Sequence, residues 1–100
     1  MASLITMLAL ASVASGGHQH LGCWNNHVYT NRDRGVHIYR GNGMGVNQCA
    51  ERCNGHPLFG IENGGECWCE DSKARAQRRG KDTGCVDGKG AAYKFDLYEV

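Results

Sequence analysis

The sequence has little proline, little net charge and no long hydrophobic run after its first sixteen residues. One proline beside fifteen glycines indicates many tight turns. Eleven Lys and Arg residues nearly balance ten Asp and Glu residues, and the formal net charge of +1 gives no case for nucleic acid or an anionic membrane as partner. No segment after residue 16 is long enough to cross a bilayer, and the absence of an Asn-x-Ser/Thr sequon argues against N-glycosylation.

Motifs of the common catalytic sites are also missing. The chain has no Gly-x-Ser-x-Gly motif, no sequence pattern typical of a Ser-His-Asp catalytic triad and no phosphate-binding loop. Paired carboxylates can hydrolyse glycosides, and four acidic residues cluster in sequence: Glu62, Glu66, Glu70 and Asp71. A domain of about eighty residues rarely builds a cleft around a sugar, because its core is one thin layer. We therefore predict a protein that is not an enzyme and holds no cofactor.

The first residues have the composition of a secretory signal peptide. An apolar run from Leu4 to Ala11 is followed by small residues, although no Lys or Arg precedes it. We assign residues 1–15 to the signal peptide, 16–20 to a flexible leader and 21–100 to one folded domain; the alternative is a disordered or packed N-terminal segment. All six cysteines follow residue 16, as in small secreted domains held by disulfides. We expect a secreted monomer, extracellular or associated with a cell wall.

The cysteine spacing predicts how a helix meets a strand. Cys49 and Cys53, four residues apart, share one face of a helix. Cys67 and Cys69, two residues apart, share one face of a strand. The spacing therefore predicts that the first two bond to the second two, without selecting one of the fifteen pairings open to six cysteines. The remaining two cysteines would form a third bridge between the beginning and the end of the domain: Cys23 and Cys85.

Hydrophobic patterning predicts one short helix and several strands. The helix begins near Val46, behind an N-cap at Gly45 and with Gln48 at its third position, and ends near Gly55. Strands are predicted at 21–24, 36–40, 58–61, 66–69 and 91–98, and the third and fourth form a hairpin. Alternation in the last strand predicts that it is half-buried, with Tyr93 on the inner face. The predicted fold class is α+β: a small disulfide-rich domain with one short helix packed on an antiparallel sheet.

Three segments together resemble the WSC domain family. They are Leu21-Gly-Cys-Trp24, the helix Val46-Asn-Gln-Cys-Ala-Glu-Arg-Cys53, and Phe59-Gly-Ile-Glu-Asn-Gly-Gly-Glu-Cys-Trp-Cys69. The family pattern closes with a Leu-x-Val-Tyr strand, to which Phe95-Asp-Leu-Tyr98 is similar. The resemblance covers most of the chain from Leu21 onward, and the block from Glu62 to Cys69 is its most specific part.

The resemblance implies a carbohydrate-binding module. WSC domains are known from fungal wall sensors and secreted enzymes, and the resemblance implies a polysaccharide of the β-glucan or xylan class as partner. The chain lacks an additional cysteine pair that the family usually carries before the last strand, and its six cysteines are closer to the PAN/apple domains. That relationship implies the nested bridges Cys23–Cys85, Cys49–Cys69 and Cys53–Cys67. It also implies an alternative function, a secreted effector that binds an extracellular host or microbial protein.

Aromatic residues are the expected glycan contacts, because sugar rings stack on flat aromatic faces. Trp68 lies between two cysteines that face the helix, so its side chain points to the opposite face of the sheet. Trp24 follows Cys23 in the same way, and Tyr39 and Tyr98 are further candidates. The alternative is that one or both Trp residues fill the core of so small a domain.

A basic segment at residues 71–84 departs most from the family pattern. Its five cations are Lys73, Arg75, Arg78, Arg79 and Lys81. It has no periodic apolar face, so we predict a solvated, mobile loop anchored only at Cys69 and Cys85. If this basic segment binds a partner, that partner should be anionic and its affinity should fall with salt.

Two metal sites are considered. A four-thiolate zinc site on the clustered cysteines is the alternative to disulfides. The lack of a Cys-x2-Cys motif and the predicted signal peptide favour disulfides. If the signal peptide is cleaved after Ser15, the new terminus Gly16-Gly17-His18 offers four nitrogens to Cu(II). The alternative for His18 is a leader that holds no metal.

Overall fold

The computed structural model describes residues 17–27 and 37–100, so the predicted signal peptide lies outside the described part of the chain. Five strands and two short helices follow one another in this part. Their bounds are β1 Gln19–Asn25, β2 His37–Gly41, α1 Val46–Arg52, β3 Leu58–Glu62, β4 Glu66–Glu70, α2 Lys73–Ala76 and β5 Lys94–Glu99. The α+β class is confirmed, with α2 as one helical turn that the sequence does not predict.

The strands form one antiparallel sheet in the order β1-β5-β3-β4-β2. The predicted hairpin is confirmed, because β3 pairs along its length with β4. The carboxy-terminal strand β5 lies between β1 and β3, so the beginning and the end of the domain pair with each other. β1 and β2 are therefore the edge strands.

The helix α1 begins where the sequence predicts and is too short to be stable alone. Gly45 is its N-cap: the Gly45 N–H donates to Gln48 Oε1, and the Gly45 carbonyl accepts from Cys49 N–H, both at 3.0 Å. The helix ends at Arg52, slightly before the predicted end at Gly55. Attachment to the sheet, rather than helix propensity, therefore stabilises α1.

Two disulfides join β4 to α1 and its C-cap residue Cys53, as the cysteine spacing predicts. Cys49 is bonded to Cys67 with an S–S length of 2.04 Å, and Cys53 to Cys69 with an S–S length of 2.02 Å. The nested pairing implied by the PAN/apple domains, Cys49–Cys69 and Cys53–Cys67, is therefore wrong. The reason is direction: α1 runs parallel to β4, so the first cysteine of the helix meets the first cysteine of the strand.

The sheet is covered on both faces. On the α1 face, Phe59 and Tyr98 pack with the cysteines of the two helix–strand bridges. On the opposite face, Phe95 and Leu97 pack with Ala76 of α2. Four successive residues of β5 are consequently buried. The prediction of a half-buried last strand is wrong, because β5 lies inside the sheet and both of its faces are covered.

The basic segment contains the short helix α2. The Oγ of Ser72 accepts a hydrogen bond of 3.2 Å from the Arg75 N–H and so caps the helix. Ala76 is 2% exposed and packs on the sheet face opposite α1. A single small apolar residue is therefore enough to dock this helical turn on the sheet. One such residue forms no periodic pattern, so the sequence does not predict the docking.

The rest of the basic segment is bonded to β1. The Gly80 carbonyl accepts from the Asn25 N–H, and the Asp82 N–H donates to the Cys23 carbonyl, both at 3.0 Å. The predicted bridge Cys23–Cys85 is confirmed, with an S–S length of 1.99 Å, and no cysteine is free. The prediction of a loop anchored only at its two flanking cysteines is therefore wrong.

Candidate functional site

Two aromatic side chains meet on the sheet face opposite α1. Tyr39 of the edge strand β2 lies directly across from Trp68 of β4 in the strand register. Their ring centroids are 5.1 Å apart, with an interplanar angle of 58°. Tyr39 is 51% exposed and Trp68 is partly exposed, so the two rings offer an accessible apolar surface at the edge of the sheet. We call Tyr39 and Trp68 the aromatic pair.

The strand register determines the direction of Trp68. Cys67 and Cys69 are buried and bonded to α1, so the residue between them projects from the opposite face, as the sequence predicts. Gly60 is the residue across from Trp68 on β3. A Cβ atom at Gly60 would collide with the Phe95 ring. Because Gly60 has no side chain, the Phe95 ring packs on the β3 backbone at the position that pairs with Trp68.

A buried histidine–glutamate contact holds β2 beside β4. His37 Nδ1 lies 2.7 and 2.9 Å from the two carboxyl oxygens of Glu70, and the two side chains are 5% and 1% exposed. His37 and Glu70 are register partners, two positions along their strands from Tyr39 and Trp68. Because residues two apart share a face, this contact lies beside the aromatic pair and positions the strand that carries Tyr39.

A second carboxyl group is buried on the same face of the sheet. Asn26 Nδ2 donates a hydrogen bond of 2.6 Å to Glu62 Oε1. Burial raises the pKa of Glu62 above its ordinary value, against the opposing effect of the Asn26 hydrogen bond. Burial likewise raises the pKa of Glu70, against the hydrogen bond with His37. Both carboxyl groups have partners inside the domain, so each has a role in the fold.

Polar groups lie at the rim of the aromatic pair. Glu66 is two residues before Trp68 on β4 and therefore on the same face. Its Oε2 accepts a hydrogen bond of 3.3 Å from Asn63 Nδ2 at the surface. Trp68 Nε1 is buried and has no hydrogen-bond partner among the described residues. The arrangement offers ring faces for stacking and the Glu66 carboxylate for hydroxyls, which are the two contacts that a sugar needs.

The other two aromatic candidates are not brought to this surface. Trp24 Nε1 donates to the Leu21 carbonyl at 3.0 Å, and Lys81 Nζ lies 5.6 Å from the Trp24 ring centroid. Trp24 therefore contributes to packing between β1 and the basic segment. Tyr98 is 4% exposed, and its ring stacks on Phe59 at a centroid distance of 5.1 Å. Tyr98 has no open ring face, because β5 is covered on both sides.

The basic segment forms a separate surface. Lys73 Nζ pairs with Glu99 at 3.3 Å, and Lys81 lies over Trp24 on the edge strand β1. The aromatic pair lies at the other edge of the sheet, on β2 and β4. The structure therefore places Lys81 with Trp24 at one edge of the sheet and the aromatic pair at the other.

The cysteine cluster does not form a zinc site. The sulfur atoms of Cys49, Cys53 and Cys67 lie within 4.8 Å of one another. They are close because two disulfides lie side by side between α1 and β4, and the metal ligand is a thiolate, which a disulfide sulfur is not. The zinc alternative is therefore contradicted. His18 packs edge-on against Phe59, but Gly16 lies outside the described residues, so the copper site stays a prediction.

A cleft of about 540 Å³ lies on the α1 side of the domain. Its lining includes His18, Asn47, Glu51 and His56. The described residues that line it include neither Trp nor Tyr, and His56 Nδ1 already contacts Asp71 at 2.6 Å. The cleft lacks a stacking surface, so we place the candidate site at the aromatic pair.

Sequence reasoning misses one exposed aromatic residue, Tyr93. Alternation along the last strand predicts that it faces inward, but it is 60% exposed. The reason is that β5 begins at Lys94, which leaves Tyr93 in the turn before the strand. The glycines at 84, 88 and 90 are the available signal, because they indicate that the chain turns shortly before this position.

A family model described as the WSC domain matches residues 20–91. The matched range contains both members of the aromatic pair and all six cysteines. No match is found among curated proteins.

Proposed function

We propose that this chain, which belongs to the WSC domain family, is a secreted, non-enzymatic module that binds a cell-wall polysaccharide through Tyr39 and Trp68. The family is one of carbohydrate-binding modules and is generally not catalytic. The observation that carries the proposal is the aromatic pair, a Tyr and a Trp that contact each other on an edge of the sheet with the Tyr half exposed. Neutral polysaccharides of the β-glucan or xylan class are the proposed ligands.

Binding would work by stacking and hydrogen bonding. The C–H face of a sugar ring packs on an aromatic face, which removes apolar area of both from water. The tilt of 58° between the two rings means that one sugar ring cannot lie flat on both. Each ring of the pair therefore contacts a different part of the ligand, and Glu66 at the rim accepts hydrogen bonds from hydroxyl groups.

An extracellular location supports this role. Three disulfides in a small domain are typical of oxidising compartments, and a disulfide-rich WSC domain fits an extracellular or cell-surface protein. Among the described residues, no helix is long and apolar enough to cross a membrane. Secretion through the predicted signal peptide and association with a cell wall complete the proposal.

The experiment is retention of the oxidised protein on insoluble β-1,3-glucan, xylan and chitin, with and without salt. We expect binding to at least one polysaccharide that survives added salt, because stacking does not depend on charge, and competition by the soluble oligosaccharide. Trp68→Ala should weaken binding about threefold to tenfold, the effect of one stacked ring. The matched control is Val86→Ala, which removes an exposed apolar side chain outside the site.

Two results would contradict the proposal. One is equal retention of wild type and a folded Trp68→Ala variant. The other is no retention on any of the three polysaccharides, which would favour the alternative, a protein-binding module of the PAN/apple type. Circular dichroism of each variant checks that the fold is intact.

A further inference from the structure

Tyr93 is a large aromatic residue that the fold presents to solvent. It is 60% exposed, although the next residue begins a buried strand. Ala91 and Lys94 form an isolated bridge, with N–H to carbonyl distances of 3.0 and 3.2 Å between them, so the two residues between them form a tight turn. Tyr93 therefore occupies a turn position that holds it outside the core.

The backbone at Tyr93 is in a conformation that its side chain disfavours. Its φ angle is 61°, in the left-handed region that glycine and asparagine adopt more easily than a residue with a large side chain. In tight two-residue turns this position is usually glycine or asparagine. Tyr93 thus destabilises the turn, and because 60% of the residue is exposed it buries little area in return.

The Tyr93 ring is also held in place. It stacks on the ring of His27 with a centroid distance of 4.4 Å and an interplanar angle of 28°. The Tyr93 carbonyl accepts a hydrogen bond of 2.9 Å from the Asn26 N–H, and the Asn26 side chain is itself bonded to the buried Glu62. His27 thus covers one face of the Tyr93 ring, while 60% of the residue remains exposed.

We propose that Tyr93 is a second sugar-stacking contact, separate from the aromatic pair, which packs its open ring face against the C–H face of a sugar unit in a polysaccharide. The inference rests on the proposed function, because it assumes a carbohydrate ligand. Three observations support it: an exposed aromatic ring, a backbone that disfavours that residue, and a stacked neighbour that fixes the orientation of the ring. Tyr93 lies outside residues 20–91, so the family match does not assign it this role.

The proposed contact differs from the aromatic pair in its place on the domain. The aromatic pair is on β2 and β4, at one edge of the sheet, whereas Tyr93 precedes β5, which pairs with the edge strand β1. A ligand that reaches only one of the two places gains only one contact. Tyr93 therefore contributes to retention on an extended polysaccharide.

The test compares Tyr93→Gly, Tyr93→Phe and wild type on the polysaccharide that wild type binds. Tyr93→Gly relieves the backbone and removes the ring, so we expect a higher melting temperature together with about threefold to tenfold weaker binding. Tyr93→Phe keeps both ring and backbone and should bind as wild type does. A gain in stability with a loss of binding separates a ligand contact from a structural role, because loss of a structural residue would lower both.

Binding of Tyr93→Gly equal to that of wild type would overturn the inference while leaving the proposed function intact. Failure of wild type to bind any polysaccharide would overturn both. If Tyr93→Gly does not fold, Tyr93→Asn replaces it, because asparagine also tolerates a positive φ and has no ring. An independent measurement is the NMR chemical shift of the Tyr93 ring protons on addition of soluble oligosaccharide. No change in these resonances would also overturn the inference.

Discussion

At the scale of single residues, the fold alters the chemistry of two buried carboxyl groups beside the aromatic pair. Glu62 and Glu70 are both buried, and each has one polar side chain as partner, Asn26 and His37. Burial disfavours the charged form of a carboxyl group, which is why both pKa values are raised. The stability of the domain should therefore depend on pH through these two residues.

Glu62→Gln is expected to change the pH dependence of stability. Because the pKa of Glu62 is raised in the folded domain, the folded state binds a proton more readily than the unfolded chain, and stability falls as pH rises above the ordinary carboxyl pKa of about 4.3. Glutamine cannot ionise and keeps an oxygen for Asn26 Nδ2. The variant should thus gain in melting temperature relative to wild type as pH rises from about 4 to 7.

The measurement is thermal unfolding of both proteins across that pH range. Glu51→Gln is the matched control, since it removes the same charge from an exposed position on α1. A difference in melting temperature between Glu62→Gln and wild type that stays constant with pH would contradict the assignment of a raised pKa to Glu62.

At the scale of elements, α2 shows how a short, polar segment becomes attached to the sheet. Its four residues have one buried member, Ala76, and an N-cap at Ser72. The helix lies on Leu58, Phe95 and Leu97, so the basic segment covers apolar area that would otherwise face water. Docking of α2 should therefore protect nearby peptide bonds.

Ala76→Glu is expected to release α2 from the sheet. A charged side chain cannot be accommodated at a position that is 2% exposed, and the helix would detach to let it reach water. Limited trypsin digestion of the oxidised protein should then cut after Lys73 and Arg75 at least several-fold faster than in wild type. Ala74→Glu is the matched control, because Ala74 is exposed on the same helical turn.

Equal cleavage of Ala76→Glu and Ala74→Glu would mean that Ala76 does not dock the helix. Rapid cleavage of wild type at the same sites would favour the mobile loop that the sequence predicts over the attached segment that the structure shows.

At the scale of the whole molecule, three disulfides compensate for a small core. The apolar core is divided by the sheet into two clusters, and neither helix is long enough to be stable alone. One bridge joins residues 62 positions apart and so ties the first strand to the chain before the last, whereas the two others close intervals of 18 and 16 positions. The Cys23–Cys85 bridge should therefore contribute most to the stability of the domain.

Replacing both cysteines of one bridge at a time should give losses of stability that increase with the length of the loop that the bridge closes. In the chain-entropy model, Cys53→Ala with Cys69→Ala costs about 3 kcal/mol and Cys23→Ala with Cys85→Ala about 4 kcal/mol. For a domain of this size the first loss corresponds to a decrease of roughly 12–24 °C in melting temperature, and the second to roughly 16–32 °C. Non-reducing peptide mapping of wild type provides the control. Detection of Cys49–Cys69 would contradict the parallel arrangement of α1 and β4, and equal losses for the two pairs would contradict the ranking.

Local sequence patterns determined the fold class, the start of α1, the β3–β4 hairpin and the attachment of the helix cysteines to those of β4. Each of these depends on residues close in sequence: an N-cap next to its helix, two strands beside one turn, and thiols spaced to share one face. The direction of Trp68 follows in the same way, because neighbouring strand residues point to opposite faces. The sequence by itself also determined the family, since its quoted residues carry the WSC pattern.

Tertiary structure alone decided which cysteine of each set bonds to which, since this depends on the relative direction of α1 and β4. It also decided that Tyr98 is buried, because alternation cannot show that β5 is central in the sheet. Tyr39 and Trp68 are 29 positions apart, and only the pairing of β2 with β4 brings their rings together. The physical reason is common to all three: strand order and helix direction arise from contacts between residues distant in sequence, which no local pattern contains.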